Sequence, residues 1–116
     1  MAAKIVNLKD NIIIADRVIL ADTFLKRLKG LMFKPNLRER ECLIINPCKM
    51  IHTFGMRFSL DIIFLSNSNI VLETIKDIRP NHISLYVLES TKVLELPAGT
   101  LKATNTVKGD LLKISI

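Results

Sequence analysis

Apolar residues come in short runs along this chain, and most runs carry the two-residue alternation of strands. Phe58 to Leu65 is the strongest. Phe58, Leu60, Ile62 and Phe64 share one face; Ser59, Asp61, Ile63 and Leu65 share the other. Asn67-Ser68-Asn69 follows as a turn, and Ile70 to Ile78 reads as the returning strand of a hairpin. Near the start, KIVNLK and DRVILA read as two short strands flanking the apolar NIIIAD, with a turn at Lys9-Asp10-Asn11. Cys42 to Asn46 is a short strand broken at Asn46-Pro47. Lys92 to Leu96 is another, ended by Pro97-Ala98-Gly99, and Gly109-Asp110 turns into a last strand, LLKISI. Leu101 to Asn105 reads as a helical turn. Ile83 to Leu88 fits neither period cleanly.

One segment has helical spacing. In ADTFLKRLKGLMF, Phe24, Leu25, Leu28, Leu31 and Met32 fall on one face, with Lys26, Arg27 and Lys29 opposite. Asp22 is a suitable N-cap, and Gly30 suits a left-handed stop. Pro35 prevents continuation. The helix therefore runs over about 22–30. Seven or eight short strands and this helix predict an α+β fold, mainly β. The expected architecture is an antiparallel or mixed sheet curled into a small barrel-like domain. Without repeat or linker, residues 1–116 read as a single domain.

Composition narrows the core. The chain is 49% hydrophobic but only 5% aromatic, with no Trp, so the interior must be built from Ile, Leu and Val. The net charge of +6 is uneven: residues 26–57 hold eight basic and two acidic groups. Such a cluster fits an anionic ligand, or a solvated surface. Nucleic acid is a weaker match, because Tyr86 is the only tyrosine and no aromatic residues interleave with the basic ones. No apolar run approaches the ~20 residues of a membrane span, and the N-terminus lacks a secretory h-region. The expected address is the cytoplasm, where Cys42 and Cys48 would be free thiols.

Candidate chemistry concentrates in CKMIHTFGMRFSLDIIF, residues 48–64. Cys48 and His52 are a candidate thiol and base for nucleophilic catalysis. Metal is not expected: two thiols and one nearby imidazole, with no paired C-x-x-C, make a poor zinc set. No cofactor motif is present. Asp61 sits inside an apolar strand and, if buried, needs partners. Either it pins the loop before its own strand, or His52, Thr53, Arg57 and Asp61 line one polar pocket. Arg57 shares a face with Asp61 but lies about 13 Å away along an ideal strand, too far to pair. Lys49 and Arg57 flank the loop, which fits an anionic or hydroxyl-rich ligand. Glu95 alternates to the open face of its strand, as a solvated or salt-bridged carboxylate or a pocket member. His82 reads as a loop histidine.

Several blocks also carry a resemblance. In order they are Gly30-Leu31-Met32, Ile51-His52-Thr53-Phe54-Gly55-Met56-Arg57-Phe58 with Asp61, Leu94-Glu95-Leu96-Pro97-Ala98-Gly99, and Gly109-Asp110. Together they resemble the Domain of Unknown Function 192 family, in a branch with His-Thr-Phe-x-Met-Arg-Phe. The chain departs from the usual pattern at Ser59-Leu60, where a Pro is common, and in lacking Asp-Gly after the strand. The resemblance implies a compact, mainly β domain with one N-terminal helix, and no assigned activity.

Three readings follow. The first is a domain that binds a small molecule or protein partner through a polar pocket of Cys48, His52, Thr53, Arg57, Asp61 and Glu95. The second is a hydrolytic enzyme using Asp61 or Cys48 with His52. The third is a nucleic-acid-associated module using the basic segment.

Overall fold

The computed structural model describes residues 3–21 and 37–116. The helix expected over about 22–30 lies outside the described residues. Within them, strands run in the order β1 (Lys4–Asn7), β2 (Ile12–Ala15), β3 (Arg17–Ala21), β4 (Glu41–Ile45), β5 (Leu60–Leu65), β6 (Val71–Ile78), β7 (Lys92–Pro97) and β8 (Leu112–Ser115). A short helix, α1 (Thr100–Thr104), separates β7 from β8. The fold is mainly β, as the alternation predicts.

The strands form two sheets. One has the order β2-β1-β8 and the other β3-β4-β7-β5-β6. An isolated bridge between Ile70 and Leu111 links their margins, but among the described residues the ladders do not join into a closed barrel. Asp16 is where the sheets part. The chain leaves β2 at Ala15, and β3 then pairs in parallel with β4, Val18 opposite Cys42. A parallel pair needs a long connection, and β3 and β4 are well separated in sequence. The apolar NIIIAD, expected between two strands, itself contains β2, with Ile14 and Ala15 buried.

The five-stranded sheet is the middle layer. One face packs on the three-stranded sheet through Ile5, Ile14, Ile44, Ile63, Leu94 and Leu112. The other carries Leu43, Leu60, Ile62, Phe64 and Val93, and is covered by loop residues such as Ile51, Met56 and Val87. All six residues of β5 are consequently buried. A strand covered on both faces tolerates no solvated position, which is why LDIIFL reads as nearly continuous hydrophobicity. Each fully buried Leu, Ile or Phe contributes about 1.5–3 kcal/mol.

Candidate functional site

Asp61 is 1% exposed and fully engaged. Its Oδ1 accepts from the Asp77 backbone N–H at 2.9 Å. Its Oδ2 accepts from Gly99 at 3.0 Å and Leu101 at 2.9 Å. The local sequence explains this demand. Asp77 has φ 54, where β6 is bulged, and its N–H turns away from the ladder. Gly99 occupies the N-cap of α1 with φ 96 and has no side chain to cap it. Asp61 thus caps α1 from a neighbouring strand. The pinned loop follows β7; it is not the loop before Asp61's own strand, as expected from the sequence.

Thr53 is likewise buried and engaged. Its hydroxyl donates to the Arg79 carbonyl at 2.6 Å and accepts from the His82 N–H at 2.9 Å. Its backbone N–H donates to His82 O at 2.8 Å. Thr53 therefore ties the 52–56 loop to the 79–82 turn. The half-buried His52 ring stacks on Phe54 with centroids 5.0 Å apart, and its Nδ1 accepts from the Phe54 N–H. Arg57 is exposed. The Cys48 thiol points to the Met50 carbonyl at 3.2 Å, and both cysteines are free thiols.

Glu95 is not solvated, contrary to the alternation argument. It is fully buried, because β7 lies between β4 and β5 and both its faces are covered. Its cross-strand neighbours are Leu43 and Ile62, whereas Asp61 pairs with Leu96. Directly opposed residues share a face. Glu95 and Asp61 therefore lie on opposite faces of the sheet, and the six candidate residues do not converge. None of the six is among the described residues lining the cleft of about 630 Å³ beside β3, β4 and the chain end. Burial pushes the Cys42 thiol far above its ordinary pKa, and the Glu95 charge pushes it the same way.

The 48–57 segment gains a different surface instead. Residues 49–53 and 82–87 form an irregular ribbon through Ser84 N–H to Ile51 O at 2.9 Å and Val87 N–H to Lys49 O at 2.8 Å. Ser84 and Val87 turn inward; Met50, Phe54, Ile83, Leu85, Tyr86 and Leu88 remain exposed, from 47% for Phe54 to 66% for Leu88. The sequence signal for this was the poor fit of Ile83–Leu88 to either period, which marks an apolar segment with no face to bury.

The chain matches the DUF192 family, described as Uncharacterized ACR, over residues 5–114. It belongs to the DUF192 family. A UPF0127 protein of Thermococcus sibiricus is 35% identical over 99 residues, covering 81% of this chain and 63% of that protein. The chain thus spans less than two thirds of that relative's length. A UPF0127 protein of Pyrococcus horikoshii is 33% identical, covering 94% of this chain and 96% of that protein. Two crystal structures share the fold. A Sinorhizobium meliloti protein, described as a candidate transcription regulator, has a TM-score of 0.80 at 22% identity, over 97% of this chain and 91% of its own. A Novosphingobium aromaticivorans protein of unknown function has a TM-score of 0.81 at 21% identity, over 97% and 84%. At such identities the likeness speaks for the fold alone. Asp61, in the second of the motif blocks, thus caps the turn that ends the third, Pro97-Ala98-Gly99. No helix among the described residues is long and apolar enough to cross a membrane.

Proposed function

We propose that this DUF192 domain is a partner-binding module whose contact surface is the 49–54 and 82–88 ribbon. The observation behind the reading is the six large apolar side chains exposed together on two hydrogen-bonded segments. Large apolar side chains left exposed on neighbouring segments are a feature of interaction sites. His52 bridges to Ile83 and stacks on Phe54, so one of the pocket residues expected from sequence has a binding role in this reading. Within three residues of the two segments and along Leu85–Leu88, the cations Lys49, Arg57, Arg79 and Lys108 outnumber the carboxylates Glu73 and Glu89. An extended segment of a protein with apolar anchors and acidic neighbours is the occupant that complements it.

Neither rival reading draws comparable support. For hydrolysis, Asp61 has both oxygens already accepting backbone N–H groups. For nucleic acid, Lys49 donates to the Leu88 and Ser90 carbonyls and Arg40 pairs with Asp16 at 3.4 Å.

The test is an NMR titration of the full chain with a synthetic peptide alternating Leu and Glu, and with its Leu–Lys counterpart. Saturable shifts at Met50, Phe54 and Ile83–Leu88 are expected with the acidic peptide only, and lost in the Tyr86→Ser, Leu88→Ser double variant. Both substitutions are at exposed sites, where stability effects stay within about 0.5 kcal/mol. Shifts mapping elsewhere, or binding that survives the double variant, would overturn the proposal.

A further inference from the structure

The parting of the two sheets leaves a cleft of about 630 Å³. Its described walls are Leu20 and Ala21 of β3, Ile44 of β4 with Asn46 just beyond, Asn69 before β6, Lys92 at the start of β7, and Ile114 and Ile116 at the end of the chain. This volume falls in the roughly 300–1,000 Å³ of small-molecule sites. The cleft is two-sided in chemistry. Leu20, Ile44, Ile114 and Ile116 make an aliphatic wall, and Lys92, Asn46 and Asn69 bring polar groups to the same space.

Lys92 is the distinctive member. It is half-buried, and its ammonium donates to the Asn69 side-chain oxygen. That bond orients the ammonium and leaves the Asn69 NH2 as a donor. No carboxylate side chain is among the described lining residues, and burial lowers the Lys92 pKa. A partly desolvated cation with a neutral hydrogen-bond partner gains from an anion.

We propose that the cleft is a binding site for a small aliphatic carboxylate, its head group taken by Lys92 with the Asn46 and Asn69 amides and its chain laid along Leu20, Ile44 and Ile114. The aliphatic side chains of the described walls suit an alkyl chain. The cleft shares no described lining residue with the apolar ribbon, so the two readings stand or fall separately.

The experiment titrates the full chain with octanoate by calorimetry and NMR, with octan-1-ol, octylamine and acetate as comparisons. Octanoate is expected to saturate one site, with shifts confined to Leu20, Ile44–Asn46, Asn69, Lys92 and Ile114–Ile116. Octylamine and acetate are expected not to saturate it, and octan-1-ol to bind at least tenfold more weakly. Lys92→Gln keeps a donor for Asn69 but removes the charge, and should weaken octanoate at least tenfold. Asn46→Asp, at an exposed position, should weaken it too without perturbing the fold. Equal affinity for octan-1-ol, shifts on the 82–88 ribbon, or octanoate affinity unchanged in both variants would overturn the assignment.

Discussion

Asp61 and Glu95 stand on adjacent central strands and face opposite layers of the protein. Ile62 is the residue directly across from Glu95, and Leu96 the one across from Asp61. One residue of register therefore assigns the two carboxylates to different surroundings. Asp61 meets the backbone of α1 and β6. Glu95 enters the layer of Leu43, Ile62 and Phe64.

Asp61→Asn should destabilise the domain by about 2–4 kcal/mol. An amide keeps one acceptor oxygen but turns an NH2 toward backbone donors, and each buried orphan costs about 1–3 kcal/mol. Asp61→Ala should cost more, because all three N–H groups lose their acceptor. Chemical denaturation measures both. If Asp61→Asn left stability unchanged, the capping role would be wrong.

Thr53→Val keeps shape and removes the hydroxyl between Arg79 and His82. A loss of about 1–3 kcal/mol is expected. Amide exchange should quicken at His82, while the β5 amides keep their protection. Equal quickening in both places would contradict a local tie.

Cys42 and Cys48 should differ in reactivity. Cys42 is fully buried, with a thiol pKa raised by burial and then by Glu95, whereas Cys48 is partly exposed. Iodoacetamide at mildly alkaline pH should add one label to the native protein and two in denaturant, read by intact mass. Peptide mapping should find the first at Cys48. Native labelling at Cys42 would refute the burial argument.

Asp110 supplies an acid-side pH dependence. Burial raises its pKa, but the Val107 N–H, the Asn7 amide and the Lys9 ammonium at 3.0 Å outweigh it, so the folded value lies below the usual carboxylate range. A depressed folded pKa gives stability that is complete above the unfolded value and lost as pH falls through the folded one. The wild type should therefore lose stability below about pH 4. Asp110→Asn should be less stable at neutral pH, by about 1.5–3 kcal/mol, and show a shallower acid slope. An identical slope in the variant would exclude Asp110 as a source.

The strands were legible in the sequence because their alternation is a local property. Phe64 and Ile62 declare a face whatever lies opposite them, and turn residues such as Asn69 and Gly109 mark the ends. The family was legible for the same reason, since its motif blocks are short and contiguous. Which layer covers each face was not legible. Glu95 looked solvated because alternation assigns a face without saying what lies against it, and only the position of β7 between β4 and β5 buried it. Asp61 read either as a pin for the loop before its own strand or as a pocket member, because its partners, Gly99 and Leu101, are close only once β5 and β7 have paired. The barrel-like closure likewise turned on a single choice of partner. By pairing in parallel with β4, β3 leaves the two sheets parted, and that is a matter of tertiary contacts that hydrophobic spacing cannot encode.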